Sequence, residues 1–118
     1  MGLSVNSSSA SALKAFGTKL AVSANNVANV YSEDFKKSRA LVIEGENDSV
    51  KVDISKVNTE GPIVTETFNN ERVVRELSNT DIAQEFTQQI ITQYGFEANT
   101  KTIQTKDEML GTLIDIMG

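Results

Sequence analysis

The side chains able to do chemistry in this chain are few, and they are mostly carboxylates and amides. Glu44 with Glu46, and Asp107 with Glu108, are the acidic pairs to weigh as acid–base or cation sites. Neither pair has a convergent third ligand in the sequence, so both read as solvated surface. His and Cys are absent from all 118 residues. That removes the commonest general base, the thiolate nucleophile and the usual zinc ligands together. The sequence therefore predicts no catalytic residue, no metal ligand and no cofactor, and the chain reads as a non-enzyme. Lys36, Lys37 and Arg39 form a small basic cluster. It is either a surface that steers docking onto acidic neighbours or an ordinary solvated turn. Asn25, Asn26 and Asn29 are the remaining polar group. Their amides bond backbone groups of a partner helix or neighbouring subunit, or they cap a fraying helix end.

Composition points away from a self-sufficient globule. Hydrophobic residues make up 39% and aromatics 6%, with no Trp. That is thin for a core and fits an elongated molecule that completes its burial against neighbours. The length suits one domain. The net charge is −5, from 16 acidic and 11 basic residues, and no basic stripe marks a nucleic-acid partner. No apolar run approaches ~18 residues, so no direct membrane insertion is expected. The opening Met1-Gly2-Leu3-Ser4-Val5-Asn6 lacks the basic and apolar regions of a secretory signal. Asn6 also breaks the myristoylation pattern.

The elements that must position these residues follow from spacing. Leu13, Phe16, Leu20, Ala24 and Val27 recur at helical intervals and share one stripe. They predict a helix from Ala10 to about Asn29, roughly 30 Å long. The Ser-rich stretch before it reads as a frayed helix start or as disorder, with Ser7, Ser8, Ser9 and Ser11 all capable N-caps. Gly17 is a weak point of this helix, or a place where a neighbour packs tightly. In the middle, Arg39–Glu44 and Val50–Ile54 read as strands around a Gly45–Asp48 turn, and Ile63–Phe68 as a third short strand. Ser78 with Asp81, or Asp81 with Gln84, opens the last helix. Ile82, Phe86, Ile90, Tyr94, Ile103, Leu110, Leu113, Ile114 and Met117 recur along it without a Pro, with Gly95 as its one soft spot. Continuous, it is roughly 55 Å long, against a radius of gyration of about 13 Å for a compact chain of this size.

The predicted class is α+β. Long N- and C-terminal helices pair as a coiled-coil-like hairpin, and a small β-hairpin-rich middle joins them. Three parts of one structural unit are expected: an N-terminal helical assembly segment at 1–31, a short β-rich middle at 32–77 and a C-terminal long helix at 78–118. The first helix is near the lower length for stability in water, so a partner should order it.

The two ends carry motifs that resemble a known family. Ala24-Asn25-Asn26-Val27-Ala28-Asn29, then Ser32 and Phe35-Lys36, is similar to the N-terminal motif of bacterial flagellar rod and hook proteins, approximately A-N-N-I-A-N-x-x-T-x-G-[YF]-K. At the other end stand Ser78-Asn79-Thr80-Asp81-Ile82-Ala83-Gln84-Glu85-Phe86, then Gln93-Tyr94-Gly95-Phe96-Glu97-Ala98-Asn99. Ile103-Gln104-Thr105-Lys106-Asp107-Glu108-Met109-Leu110 follows. These resemble the family's C-terminal motif, S-N-V-D-L-A-x-E-F, Q-R-[AG]-[YF]-x-A-N and I-x-T-x-D-E-M-L. Both motifs stand in the right order at the right ends.

The resemblance implies an axial protein of the flagellar basal body. Such a protein is exported unfolded through the flagellar type III apparatus. It stacks with copies of itself and with other rod and hook axial proteins as a helical tube, in the cell envelope after export. It further implies an assembly interface at Leu13, Phe16, Leu20, Ala24, Asn25, Asn26, Val27 and Asn29. On the last helix it adds Ile82, Phe86, Ile90, Tyr94, Asn99, Ile103, Met109, Leu110, Leu113 and Ile114. Three departures qualify it. Asp34 stands where the family has Gly, Glu33 where it has Pro, and Tyr94 where it has Arg. If the family's Gly has φ > 0, Asp follows at modest cost. The short middle favours a small proximal-rod-type subunit, whereas Asp107-Glu108-Met109-Leu110 is closer to the distal-rod and hook branch. The alternatives are a soluble helical adaptor or export-chaperone-like module, and a hook or distal-rod relative with a truncated middle.

Overall fold

The computed structural model describes residues 2–117, with side chains described from Ser8 to Met117. Six elements run in the order α1 (Gly2–Ala28), β1 (Ser38–Glu44), β2 (Val50–Lys56), β3 (Ile63–Phe68), β4 (Glu71–Glu76) and α2 (Ile82–Met117). This is the expected α+β arrangement of two long helices with hairpins between them.

The start of α1 differs from the sequence reading, which begins the helix at Ala10. The helix already runs from Gly2, so the Ser-rich stretch has helical backbone. Tertiary hydrogen bonds override the modest helix propensity of Ser. The Ser8 hydroxyl donates to the Asp48 carbonyl at 2.7 Å, and the Ser11 hydroxyl accepts the Val50 N–H at 3.1 Å. Ser8, Ser9 and Ser11 thus lie inside the helix and cap nothing; the Ser7 side chain lies outside the described residues. At the other end Asn29 closes α1, its N–H bonding the Asn25 carbonyl at 3.1 Å.

Of the two registers offered for the start of α2, the chain takes the one at Asp81. Its carboxylate accepts the N–H groups of Ala83 at 3.0 Å and Gln84 at 3.3 Å, which satisfies two of the orphan donors of the first turn. Ser78 turns instead to Thr80, accepting its N–H at 3.0 Å. The uninterrupted helix that follows has 36 residues.

The middle forms two separate antiparallel hairpins. β1 pairs with β2 from Ser38↔Lys56 to Glu44↔Val50. β3 pairs with β4 from Ile63↔Glu76 to Phe68↔Glu71. The sequence reading has three strands here and misses β4. Its signal is Asn69-Asn70, both at positive φ (51° and 65°), the conformation of a two-residue hairpin loop whose twist matches the flanking strands.

The β1–β2 hairpin packs along α1. Among the described residues, the strands of β3–β4 pack on neither helix. That hairpin is held at its base, where the Asp34 N–H donates to the Glu76 carbonyl at 2.9 Å and the Leu77 N–H to the Pro62 carbonyl at 2.8 Å. Asp34 does so at φ 57°, the left-handed region that Gly enters freely and Asp at modest cost. Gly61 is buried in the same corner, and a Cβ there would overlap the Leu77 carbonyl oxygen. The result is a rod of 84 × 24 × 16 Å with a radius of gyration of 21.2 Å, far above the ~13 Å of a compact chain.

Candidate functional site

The two helices run antiparallel, fixed by contacts in one register. Asn26 meets Glu85, Ser23 meets Gln89, and Phe16 lies over Gly95. On α2 the covered and half-covered positions are Ile82, Glu85, Gln89, Thr92, Gly95, Asn99, Ile103 and Lys106. Their steps of three and four are those of a coiled-coil seam. The seam is polar and small. Ser9, Ser23, Asn26, Glu85 and Thr92 are buried in it, and Ala15 is the one fully buried apolar side chain among the described residues.

Small seam residues let the backbones approach. A Cβ on Gly95 would stand 2.8 Å from the Phe16 ring, so Gly95 is the seat of that ring and no mere soft spot. Gly17 has open space around its Cβ position, and no neighbour within the subunit packs tightly there.

Asn26 joins three elements. It is 1% exposed. Its carbonyl oxygen accepts the Ser38 N–H at 2.9 Å, and its amide donates to the Ser38 carbonyl at 2.8 Å and to the Glu85 carboxylate at 3.1 Å. The side chain thereby pairs with β1 as a strand residue would while holding α2. Asn79 does similar work on the other side, accepting the Lys37 N–H at 2.7 Å and donating to the Val57 carbonyl at 2.8 Å. Asn29 behaves as an end cap, its amide donating to the Asn25 carbonyl at 2.9 Å and side chain at 2.7 Å. Of the three Asn residues singled out, Asn26 is thus engaged inside the subunit, while Asn25 is exposed and Asn29 half-buried.

The large apolar side chains lie mostly outside the seam. Phe86 and Ile90 each follow a seam position by one residue, about 100° around the helix, and Tyr94 follows Thr92 by two; they are 51%, 55% and 69% exposed. Leu20 and Ala24 are exposed on α1, whereas Leu13, Phe16 and Val27 are half-buried. On α2, Ile82, Asn99 and Ile103 are half-buried. Beyond Lys106 every described side chain of α2 is exposed, including Met109, Leu110, Leu113 and Ile114. Sequence reasoning missed Ser23, Glu85, Gln89 and Thr92.

Where α1, β1 and α2 meet, a cleft of about 720 Å³ opens. Lys19, Lys37 and Arg39 lie around it, with Val22, Leu41 and Val57 among its apolar walls. The basic cluster of the sequence reading is divided: Lys36 leaves for the hairpin base and pairs with Glu76. That Lys36 pairing, with the Gly61 N–H as a second donor, holds the Glu76 carboxyl below the usual carboxylate range. Among the described residues no group of His, Cys, Asp or Glu is arranged to hold a metal ion, and no helix is long and apolar enough to cross a membrane. The arrangement is suited to packing against other chains.

Residues 74–116 match the family described as flagellar basal body rod FlgEFG protein C-terminal. Over 41 residues the chain is 54% identical to the flagellar hook protein FlgE of Treponema pallidum and 51% identical to that of Borreliella burgdorferi. Over the same length it is 46% identical to the flagellar basal-body rod protein FlgG of Bacillus subtilis. Each match covers 35% of this chain, but 9% of either hook protein and 16% of the rod protein. The matched segment holds all of α2 but its last residue, including the α2 side of the seam, with the exposed Phe86–Ile90–Tyr94 face.

Proposed function

We propose that this chain, a flagellar rod and hook family protein through its segment 74–116, is a structural axial subunit of the bacterial flagellar basal-body rod. It polymerises into a helical tube through its terminal helices. The observation that carries this reading is the inversion of the usual burial pattern. The seam within the subunit is built mainly of small and polar residues, Ser, Asn, Glu, Gln, Thr, Ala and Gly, with Phe16, Ile82 and Ile103 half-covered, while Leu20, Phe86, Ile90, Tyr94 and the apolar residues beyond Lys106 face outward along the helices. Outward apolar faces of this extent mark surfaces that another protein covers. Covering the exposed parts of Phe86, Ile90, Leu110, Leu113 and Ile114 returns roughly 1 kcal/mol each. Several such contacts per neighbour offset the cost of ordering and association. The partners on this reading are further copies of the chain and other rod and hook axial proteins, reached after passage through the flagellar type III export apparatus. The site of action is the basal body in the cell envelope, and the role is non-enzymatic. Segment 1–31 acts in assembly, 32–77 is the short middle and 78–118 the long C-terminal helix.

Substitution on the outward faces tests it. Leu20→Asp and Ile90→Asp change side chains that are about half exposed, so the subunit should stay folded by circular dichroism while assembly seen by electron microscopy is lost. Assembly at the parent concentration by both variants would remove the interface from these faces. A second reading, a hook relative with a shortened middle, draws on the higher identity to the hook proteins (54% and 51%) than to the rod protein (46%). Labelled protein located at the hook instead of the basal body would favour it.

A further inference from the structure

We infer that the outer edge of β4 pairs with the same edge of a second copy of this chain, joining two β3–β4 hairpins into one four-stranded antiparallel sheet. The inference goes beyond the polymerisation reading and does not rest on it. Among the described residues β4 packs on β3 and on no other helix or strand. A two-stranded hairpin alone is marginal in water, and an open strand edge is a template for a further strand.

The ladder fixes which backbone groups that edge offers. The two-residue loop Asn69-Asn70, both at positive φ, makes Phe68 and Glu71 a hydrogen-bonded pair. The N–H and C=O of Glu71, Val73 and Arg75 therefore point to β3, and those of Arg72 and Val74 point outward. The Glu76 carbonyl also points outward and is taken by the Asp34 N–H, so the open stretch ends there. A two-fold pairing must set outward groups against outward groups. Arg72 opposite Val74 of the second copy does so, forms reciprocal backbone hydrogen bonds at both ends, and stops short of Asp34.

The side chains agree with that register. It places Val73 opposite Val73 of the second copy and Glu71 opposite Arg75, on the face that also carries Phe68, which is 70% exposed. Glu71 and Arg72 join no ion pair among the described residues. Arg75 is half exposed and holds Glu33 at 3.3 Å and Glu66 at 3.5 Å, and its fork has donors left for Glu71 of the second copy. On the other face Arg72 lies diagonal to the second copy's Glu76, beside the Lys36 that already pairs with it. Aligning the palindrome Glu71-Arg72-Val73-Val74-Arg75-Glu76 end to end fails twice. It sets Glu71 on Glu76 and Arg72 on Arg75, and it turns inward backbone groups against outward ones. The favoured contact uses one patch twice and closes at two copies. It is a pairing of free subunits, separate from the contact that extends a tube.

Sedimentation of the full chain below the concentration that gives filaments tests the pairing. An edge this short makes a small interface, so a weak dimer with a Kd of roughly 0.1–1 mM is expected. Val74→Pro removes an N–H from the open edge and none from the β3 ladder, a position where Pro is tolerated; it should raise the Kd about tenfold or more with an unchanged circular dichroism spectrum. As the chain has no Cys, single thiols report the register. Opposite residues of a non-hydrogen-bonded pair stand within disulfide range, so Val73→Cys should oxidise to a linked dimer. Val74→Cys, displaced by two residues from its own copy, should link at least about tenfold more slowly. A chain that stays monomeric up to about 1 mM, a Val74→Pro dimer as tight as the parent's, or equal linking by the two Cys variants would overturn the pairing. None of these results bears on whether the helices polymerise, which filament formation reads separately.

Discussion

Replacing Asn26 with Ala is expected to loosen the whole junction of the rod. The side chain is 1% exposed and makes three hydrogen bonds, two to Ser38 backbone atoms and one to the Glu85 carboxylate. Ala leaves the Ser38 N–H and carbonyl and one carboxylate oxygen without these partners. An unmet buried polar group costs about 1–3 kcal/mol. Water will reach part of the vacated space, so the expected loss is about 3–5 kcal/mol, not the full sum. For a chain whose total stability is of order 5–15 kcal/mol that is severe. Asn26→Asp keeps the acceptor for Ser38 but loses both donated bonds and sets a second carboxylate beside Glu85, so it should lose at least as much. Asn25→Ala and Asn29→Ala, at an exposed and a half-buried helix end, should cost about 1 kcal/mol or less. Urea unfolding followed by circular dichroism gives all four values. A loss below about 1 kcal/mol for Asn26→Ala would refute the claim that this amide ties α1, β1 and α2 together.

Two glycines should respond in opposite directions. Gly17→Ala, with open space at its Cβ, should stabilise the free subunit by about 1 kcal/mol. Gly95→Ala meets the Phe16 ring at 2.8 Å and should destabilise by roughly 1–3 kcal/mol; thermal melts separate the two. At the hairpin base, Glu76 titrates below the usual carboxylate range because of Lys36 and the Gly61 N–H. Its stabilisation is therefore present above the unfolded pKa and lost as pH falls through the lower folded value. Glu76→Gln should flatten that acid limb of a pH-stability curve, and an unchanged limb would show that the pair contributes nothing.

The helices and their pairing were legible in the sequence, because three-four spacing and end-capping residues are local signals. Asp81 and Asn29 could be placed to within a register. The face of α2 that packs was not legible from hydrophobicity. Phe86, Ile90 and Tyr94 draw attention as a stripe, yet the seam one or two residues earlier is Glu85, Gln89 and Thr92, whose burial depends on partners far along the chain. Ser8 and Ser11 were opaque for the same reason: their helix is held by a hairpin some forty residues away. β4 was missed because Glu71-Arg72-Val73-Val74-Arg75-Glu76 has no alternation of apolar and polar residues, and only its Asn69-Asn70 turn announces it.

Side-chain footprinting with hydroxyl radicals, on the free subunit and on its assembled form, reads the central claim most directly. The outward apolar faces should be open in one state and covered in the other. Phe86, Ile90, Tyr94, Met109 and Leu113 should label readily in the free subunit and lose most of that labelling on assembly, while Phe16, already over Gly95, should change little. Assemblies in which Phe86, Tyr94 and Met109 label as fast as in the free subunit would contradict it.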